Sequence, residues 1–457
     1  MLKKRAKLHK VMRPIDVWGL ALGAIIGWGC FVLPGTAFLP KAGPGGTALG
    51  MLIGALLIVV IAVSYGYLIR NYPLSGGEFI YTKAAIGRRN AFVCGWAMIL
   101  AYWSLIPLNA TALAMISRYL FPGIIQQGLL YEIAGWDVYA GEVVLASAAI
   151  VIMALINIRG IKQAAWMQTA IALTLVGCIF VITFLVLCKA DLSNLAPAFP
   201  DGVKWWKGIF GIVAMAPWAF IGFDCIPQSA EEYNFSHKKS TAIMISAVLV
   251  AAVLYIAVCA VTAVGVEPWQ QLLQARSTWP TGFVVRNTIG LVGIIVLGIA
   301  MFCAVVSGMN AFYISTSRLM YAMAKDGSLP KWFEHLSPKY GTPTNAIWFT
   351  MAMSLFAPWF GREILLWIVD MTSVGAAIVF AYTTASAAII GHRNGSRKYA
   401  IFGVIGCLFS LFFLSLLIIP GMPGYLSFQS RVVLLVWILI GVIFYFTIRK
   451  SYVKGQN

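Results

Sequence analysis

The sequence has unusually little charge. Of its 457 residues only 11% are Asp, Glu, Lys or Arg, whereas 61% are hydrophobic. A soluble domain carries roughly 25% charged residues, so this composition excludes an ordinary soluble protein. Apolar runs of about 20 residues, each long enough to cross a ~30 Å hydrocarbon core, recur along the whole chain. The composition therefore predicts an all-α polytopic membrane protein.

Side chains that bind metals or carry out catalysis are also scarce. The sequence has no glycine-rich GK[ST] loop, which ATP-driven transport would need. Asp224 and Asp370 are the acids placed deep in predicted spans, too few for the charged rings of a channel pore. The four histidines fall in predicted tails or loops and share no metal-ligand spacing: His9, His237, His335 and His392. We therefore expect no enzyme activity, no bound metal and no cofactor.

The cysteines are few and scattered singly in or beside apolar runs. This pattern predicts small buried hydrophobic side chains and excludes a disulfide framework. The eight are Cys30, Cys94, Cys178, Cys188, Cys225, Cys259, Cys303 and Cys407.

Hydropathy predicts twelve transmembrane helices, of which the fourth and ninth are short. The predicted spans are 16–39, 46–69, 91–116, 141–158, 164–188, 208–231, 240–265, 284–313, 344–360, 364–390, 400–420 and 428–448.

The net charge of +18 is spread over the loops between these spans. Such a distribution orients helices in a bilayer and predicts no nucleic-acid partner. If the N-terminus is cytoplasmic, 24 of the 33 Lys and Arg residues fall on the cytoplasmic side. We therefore expect a plasma (inner) membrane protein with both termini in the cytoplasm. The basic start MLKKRAKLHKVMR leads into a long apolar segment with no small-residue cleavage site close behind it, so we expect no cleavable signal peptide.

Two segments between spans differ from plain loops. Residues 75–90, SGGEFIYTKAAIGRRN, predict a short interfacial helix. Residues 317–343 mix aromatic and charged side chains and predict a helix followed by a turn at Asp326-Gly327.

Glycines crowd the first span, which reads GAIIGWGCFVLPG from Gly23 to Gly35. A glycine in a helix interior costs about 1 kcal/mol relative to alanine. Close helix packing explains Gly23 and Gly27, which are four residues apart. Gly27 and Gly29 are two apart, on different faces, so an interrupted helix explains the segment better. A broken helix is tolerated in a membrane where its backbone groups are paired or line a cavity.

The sixth span carries a comparable stretch, PWAFIGFDCIPQSAEE, in which Gly222 lies between two prolines. Proline removes a helix hydrogen bond and kinks the helix. Asp224 lies near mid-span, where an ionisable group marks a functional site or belongs to an internal hydrogen-bond network. Interrupted helices at corresponding places in two halves are typical of the substrate site of an inverted-repeat transporter. Spans 1–5 and 6–10 would then be the repeats.

Several of these motifs resemble the amino acid–polyamine–organocation superfamily of permeases. GAIIGWGCFVLPG is similar to the motif of their first helix, and AFIGFDCIPQSAEE to that of their sixth. PLSGGEF (73–79) resembles their loop after the second helix, and residues 317–343 their segment after the eighth. The resemblance covers spans 1 to 9. It implies a LeuT-like 5+5 inverted repeat in residues 16–390, with helices 1 and 6 discontinuous, two accessory helices in 391–448, and cytoplasmic tails at 1–15 and 449–457.

The resemblance also implies a mid-membrane substrate site. In such permeases the unwound first helix offers N–H groups to a substrate carboxylate and carbonyls accept its ammonium. The N–H groups map onto Ile26, Gly27, Trp28 and Gly29. The carbonyls map near Ala24, Ile25, Phe220 and Ile221, with Gly222 beside them. Phe220 takes the place of an aromatic lid, and Tyr102 and Phe312 take that of lining residues. Asp224 is a candidate proton carrier on a separate ground, because it is an acid placed near mid-span.

The sequence departs from the family pattern in three places. Trp28 stands where relatives have a small residue, which would reshape the pocket. Span 164–188 has no Lys or Arg, so the lysine that replaces sodium in some relatives is missing. Residues 117–140 have no Cys, so we expect no disulfide-linked heavy chain.

The predicted function is secondary active transport of an amino acid, by proton symport or exchange. The alternatives are an amine or polyamine permease, which Trp28 and Asp224 together would suit, and a sensor that binds substrate without moving it. The expected partners are a small-molecule substrate and the lipid bilayer. The sequence leaves the oligomeric state open.

Overall fold

The computed structural model describes residues 10–454, apart from 122, 134–135, 266, 275–278 and 362. Its α-helices in chain order are α1 (Pro14–Ile25), α2 (Gly29–Leu33), α3 (Leu39–Asn71), α4 (Gly77–Ala85), α5 (Arg88–Leu120), α6 (Ala140–Arg159), α7 (Ile161–Leu187), α8 (Trp205–Val213), α9 (Ala216–Phe220), α10 (Cys225–Gln228), α11 (Ser240–Ala263), α12 (Trp269–Gln274), α13 (Pro280–Ile289), α14 (Leu291–Lys325), α15 (Thr344–Ser354), α16 (Glu363–Arg393), α17 (Arg397–Ile418) and α18 (Phe428–Lys454).

Nine helices in the described part of the chain are long and apolar enough to cross a membrane. They account for nine of the predicted spans. The first, sixth and ninth predicted spans have no single helix of that length, because each is divided into shorter pieces. The protein is thus a multi-pass membrane protein, and the count of twelve crossings stays a prediction.

A bend at Gly43 divides α3 into two parts. The part before the bend contains the end of the first predicted span, and the part after it forms the second predicted span. Gly43 has φ +66° and ψ 179°, outside the helical region. A Cβ atom there would lie 2.7 Å from the carbonyl oxygen of Ala198, and that oxygen accepts the N–H of Gly45 at 2.9 Å. Glycine is needed at 43 because the backbone is left-handed and the neighbouring loop passes so close.

Several predicted boundaries shift. The first helix begins at Pro14, and Met12 is already buried beside Tyr233, so the predicted tail 1–15 is partly packed; residues 1–9 of that tail lie outside the described residues. The last helix continues to Lys454, so most of the predicted tail 449–457 is helical, and 455–457 lie outside the described residues.

The helix predicted after span 8 is the end of that span. α14 runs without a break to Lys325, and the predicted turn follows at Asp326-Gly327, where Gly327 has φ +75°. Residues 320–325 contain Met and Ala, which are good helix formers, so nothing in the sequence ends the helix earlier.

A β-hairpin in the segment 117–140 was missed by the sequence analysis. Its antiparallel strands are β1 (Leu129–Ile133) and β2 (Trp136–Tyr139). Arg118 on α5 donates to the carbonyl oxygen of Asp137 and to Glu142 on α6. This hairpin qualifies the all-α prediction; its strands are four or five residues long, too short to show a clear alternating pattern.

The two interrupted helices lie in the centre of the bundle. α1 packs against α7, α11 and α14, and α9 packs against α3 and α16. Gln168 of α7 fixes α1 in this position: its amide nitrogen donates to Ser307 of α14 at 2.7 Å and to the carbonyl of Gly19 at 3.3 Å. Asn310 of α14 donates to the Gln168 side-chain oxygen at 2.9 Å. Such polar contacts hold helices together where lipid supplies no hydrophobic driving force.

The prediction that every cysteine is buried is wrong for part of the set. Cys188 is exposed and Cys178 and Cys407 are half-buried, and these thiols lie on or beside α7 and α17, which face outward from the bundle. All eight cysteines are free thiols.

Candidate functional site

The first helix is interrupted at the glycines that the sequence pointed to. α1 ends at Ile25, and Ile26 has φ −85° and ψ 86°, which is not helical. Helical structure resumes at Gly29 and continues through a π-helical turn, Pro34–Phe38, into the start of α3. A half-helix therefore begins at Gly29 in the middle of the protein.

The sixth predicted span is interrupted as well. α9 ends at Phe220, Ile221 is extended with φ −56° and ψ 134°, and the short helix α10 begins at Cys225. Gly222 between them has φ +130°, a conformation that residues with a side chain rarely adopt. Pro217 lies in the first turn of α9, where its missing N–H costs nothing.

The two interruptions are in direct contact. A Cβ atom on Gly222 would lie 2.7 Å from the backbone nitrogen of Ile25 and 2.7 Å from Cβ of Ala24. Gly222 is therefore small because the backbone of α1 passes against it. Tyr255 of α11 lies on the other side, donating from its hydroxyl to the Ile25 carbonyl at 3.3 Å and packing edge to face on Phe220.

Asp224 is fully buried beside the second interruption. Its Oδ1 accepts the N–H of Gly222 at 2.7 Å, which holds the non-helical turn in place. Its backbone carbonyl accepts the hydroxyl of Tyr102 at 2.8 Å. Tyr102 in turn packs on Phe312 with ring centroids 5.8 Å apart. Asp224, Tyr102 and Phe312, predicted from three separate spans, thus form one cluster.

Two tryptophans form a wall of the first interruption. Trp28 packs edge to face on Trp218 of α9, with ring centroids 6.5 Å apart, and both are about 95% buried. A Cβ atom on Gly29 would meet Cη2 of Trp218 at 2.3 Å. In the described part of the chain neither indole N–H has a hydrogen-bond partner. The bulk of Trp28 is therefore accommodated by edge-to-face packing against Trp218.

Asn109 of α5 faces the same interruption. Its Oδ1 would lie 3.3 Å from a Cβ atom on Gly27, and it has no partner among the described residues. Its Nδ2 donates to the carbonyl of Leu105 at 2.7 Å. A buried acceptor without a partner is costly, so this oxygen is suited to a donor on a bound molecule.

The backbone groups of the first interruption are partly engaged. The N–H of Ile26 donates to the Leu22 carbonyl at 2.8 Å, and that of Gly27 to the Ile25 carbonyl at 3.1 Å. Within the residues that the structure describes, no backbone acceptor is found for the N–H groups of Trp28 and Gly29. Of the four predicted N–H donors, these two are therefore the ones left for a ligand in this conformation.

All twelve predicted site residues are thus central, and eleven of them are buried, Gly27 being half-buried. Three further residues lie at the interruptions and were not predicted: Trp218, Asn109 and Tyr255. Trp218 was within the quoted motif. Asn109 stands out as a lone amide in an apolar span, whereas nothing in the sequence around Tyr255 distinguishes it from a packing residue. Among the residues described, no cluster of His, Cys, Asp and Glu could hold a metal ion.

A bundle of apolar helices in which two interrupted helices meet at the centre defines a polytopic membrane carrier. The chain belongs to the amino acid permease family, whose model matches residues 14–444. The resemblance to the amino acid–polyamine–organocation permeases is thereby confirmed.

Three relatives align with most of the chain. The branched-chain amino acid permease BcaP of Bacillus subtilis is 28% identical over 463 residues, 98% of this chain and 94% of its own length. The methylthioribose transporter of the same organism is 27% identical over 474 residues, 98% and 95% of the two chains. Cationic amino acid transporter 4 of Mus musculus is 28% identical over 402 residues, 85% of this chain and 61% of its own length.

Proposed function

We propose that this permease is a secondary active transporter that carries an amino acid across the cell membrane by alternating access, with both termini in the cytoplasm. One observation carries the proposal: the two interrupted helices touch at Gly222 and Ile25 and leave buried, unengaged polar groups around them. Buried polar groups without partners are costly, and a polar ligand would satisfy them. The names of the relatives support an amino acid as that ligand.

The substrate carboxylate would bind at the start of α2. The N–H groups of Trp28 and Gly29 lack backbone acceptors among the described residues, and helical structure follows them as far as Gly43. A helix N-terminus attracts anions through its free N–H groups and its dipole. The Asn109 oxygen beside Gly27 would repel a carboxylate, so we place it next to the substrate ammonium or side chain.

The substrate ammonium would bind at the ends of α1 and α9. The predicted acceptors are the carbonyls of Ala24, Ile25, Phe220 and Ile221 at the point where the two helices stop. Ile25 is the least available of the four, because its carbonyl already accepts the Tyr255 hydroxyl at 3.3 Å and the Gly27 N–H at 3.1 Å. Phe220, fully buried and packed on Tyr255, is suited to covering the substrate as an aromatic lid.

The proposed transport cycle uses two halves that move relative to each other. Spans 1–5 and 6–10 would be inverted repeats, and the helices in 391–448 accessory to them. The paired interruptions support this arrangement, since each half then contributes one broken helix to the site. We further propose proton coupling through Asp224.

The relatives transport chemically different molecules, so the substrate class needs a direct test. We would measure the melting temperature of the purified protein with leucine, isoleucine, valine and arginine, and with the decarboxylated amines isoamylamine and agmatine. Methylthioribose is the third class. We expect stabilisation by one or more amino acids and none by the matching amines. Stabilisation by amines or methylthioribose alone would overturn the amino-acid assignment.

Transport itself is tested in proteoliposomes with the stabilising compound as radiolabelled substrate. We expect counterflow, the uptake of label in exchange for unlabelled substrate inside. Binding without counterflow would identify a sensor. The Asn109→Leu variant, which removes the unpartnered oxygen and keeps a branched side chain with the same number of heavy atoms, is expected to fold and to lose binding. Asn71→Leu serves as its control, because the Asn71 amide bonds only the Tyr67 carbonyl in the described residues, away from the site.

A further inference from the structure

The buried acids of the chain fall into two groups. Five carboxylates whose side chains the structure describes are at most 6% exposed: Asp16, Glu78, Glu142, Asp224 and Glu232. Three of them form ion pairs with an arginine. Glu78 and Asp224 have no basic partner in the described part of the chain. A buried ion pair compensates its own charge, whereas these two carboxylates do not have that compensation.

These two acids lie at opposite ends of α10. Asp224 immediately precedes the helix, and Glu78 of α4 bonds the Gln228 side chain at its other end. The packing there is tight: a Cβ atom on Gly77 would lie 2.8 Å from Cβ of Pro227. Glu78 is therefore connected through a four-residue helix to the interruption that Asp224 holds in place.

The contact between Glu78 and Gln228 is half complete. The Gln228 amide nitrogen donates to Oε2 of Glu78. The other oxygen of each side chain, Oε1 of Glu78 and Oε1 of Gln228, is buried and has no partner among the residues described. Two acceptors without a donor cannot satisfy each other. One proton on Oε1 of Glu78 would turn it into a donor and give both atoms a partner.

The other ionisable groups around Glu78 do not supply a compensating cation. Lys83 on the same helix and Arg88 of α5 bond Asp326, and Arg318 of α14 bonds Glu232. On α16, Arg393 donates to the Ala84 carbonyl. The remaining titratable groups that act on Glu78 are acids, thiols and phenols: Tyr65, Tyr81, Cys94, Tyr102, Asp224 and Cys225.

Burial raises the pKa of Glu78 well above the ordinary range of a glutamate, and the nearby Asp224 carboxylate raises it further. The neutral form is the one that burial favours, since an uncompensated charge is costly to keep in a protein interior. The nearby Tyr65 hydroxyl acts in the opposite direction and lowers the pKa of Glu78, but burial and Asp224 outweigh it. The net direction agrees with the geometry of the Glu78–Gln228 contact, in which a proton on Oε1 would supply a donor.

We propose that Glu78 is a second proton-binding carboxyl of the transporter. Its protonation state affects the interruption at Asp224 through contacts with Gln228 and α10. The proposal rests on the proposed transport function. When protonated, Glu78 closes the paired hydrogen bonds with Gln228 and holds α4 against α10. When the proton leaves to water on the side to which the carrier opens, the carboxylate loses the second bond and the contact loosens. Nothing else is consumed or released.

The test compares two modes of transport in proteoliposomes. Glu78→Gln replaces the carboxyl group by an amide, which cannot release a proton. We expect this variant to retain counterflow of radiolabelled leucine, and to lose both the acceleration by a pH gradient and the pH dependence of uptake. Glu78→Asp, which keeps an ionisable group, is expected to retain a pH response. Glu334→Gln, a control at an exposed glutamate, should behave as the wild type.

Unchanged gradient-driven uptake in Glu78→Gln would overturn the proposal. So would stimulation of the wild type by sodium that Glu78→Gln abolishes, since the site would then bind a metal cation. If the wild type shows no counterflow with any amino acid, the proposed function is overturned. The proton site must then be tested by a measurement that needs no substrate.

Thermal stability provides a test of the proton site that needs no substrate. Because the folded protein binds the Glu78 proton more tightly than the unfolded chain, its contribution to stability is present at low pH and is lost as pH rises through the folded-state pKa. The melting temperature of the wild type should therefore fall more than that of Glu78→Gln between mildly acidic and mildly alkaline pH. Parallel curves for the two proteins would contradict a titrating Glu78. If Glu78→Gln does not fold, the pH dependence of the melting temperature is compared between Glu78→Asp and the wild type. An unshifted curve in Glu78→Asp would likewise contradict a titrating Glu78.

Discussion

Gly29 lies against the edge of the Trp218 indole, so closely that a Cβ atom on residue 29 would stand 2.3 Å from Cη2 of that ring. The Trp28 ring packs on the same indole, edge to face. Gly29 therefore has a second role besides interrupting the helix. Because it has no side chain, it leaves room for Trp218, on which Trp28 packs. The residue that departs from the family pattern and the glycine beside it form one packing unit.

The Gly29→Ala variant should show that this contact matters for transport. The added methyl group forces the Trp218 ring to move, and overpacking of this kind costs typically 1–3 kcal/mol. We expect a lower melting temperature and a loss of counterflow of at least about tenfold, which corresponds to 1.4 kcal/mol. Both quantities are measured on the purified protein, in detergent and in proteoliposomes.

The cause can be isolated with two further variants. Trp218→Phe removes the atoms that would clash, so Gly29→Ala should cost less stability in that background than in the wild type. Gly177→Ala is the control, since a methyl group there meets nothing within 4 Å. Equal costs of Gly29→Ala in both backgrounds would contradict the proposed contact.

Gly222→Ala should disrupt the contact between the two interruptions. Its φ of +130° is strained for alanine, and its Cβ would lie 2.7 Å from the backbone nitrogen of Ile25. Strain of this type costs about 1–3 kcal/mol, and the clash with backbone adds to it. Gly87→Ala has a similar positive φ, +104°, but open space around it, so it measures strain alone. We expect loss of transport in Gly222→Ala only; equal loss in both variants would indicate strain as the whole cause.

The sequence predicted the interruptions well, because glycine and proline act on the backbone locally. Gly27 and Gly222 could be identified without knowing what surrounds them. The wall formed by Trp218 and the Glu78–Gln228 contact could not, since both depend on side chains 150 or more positions away in the chain. The hairpin at 129–139 was missed because its strands are too short for periodicity to distinguish them from a loop.

Tyr102→Phe should separate positioning of Asp224 from packing. The variant removes the hydroxyl that donates to the Asp224 carbonyl at 2.8 Å and keeps the ring that packs on Phe312. A lost buried hydrogen bond costs about 1 kcal/mol. We expect a modest fall in melting temperature and a several-fold rise in KM for uptake.

The control for this variant is another buried tyrosine that donates to a carbonyl. Tyr313 bonds the Ile150 carbonyl at 3.1 Å, away from the interruptions. Tyr313→Phe should lower the melting temperature to a similar degree and leave KM unchanged. A rise in KM in both variants would show that the effect follows from stability alone.

Arg318 and Glu232 form a buried ion pair through two bonds of 2.9 and 3.0 Å, with both side chains at most 4% exposed. Arg318→Met leaves the glutamate charge buried without its arginine, which costs about 3–5 kcal/mol. We expect poor folding of this variant and partial recovery in the double variant Arg318→Met/Glu232→Gln, measured by thermal unfolding in detergent. Lys83→Met, which breaks a pair at a half-exposed lysine, should cost under about 1 kcal/mol. Equal melting temperatures for the single and the double variant would contradict this account.

Asp224→Asn tests proton coupling at the interruption itself. Asparagine keeps the side-chain oxygen that accepts the Gly222 N–H at 2.7 Å, so the turn should hold, but it has no proton to release. We expect counterflow to continue and uptake driven by a pH gradient to be lost. Asp191→Asn is a matched control, because this exposed aspartate also accepts a backbone N–H two residues away, that of Ser193 at 2.9 Å. Gradient-driven uptake at the wild-type rate in Asp224→Asn would remove Asp224 as a proton carrier, and a simultaneous loss in Glu78→Gln would then leave Glu78 as the proton-binding group of the pair.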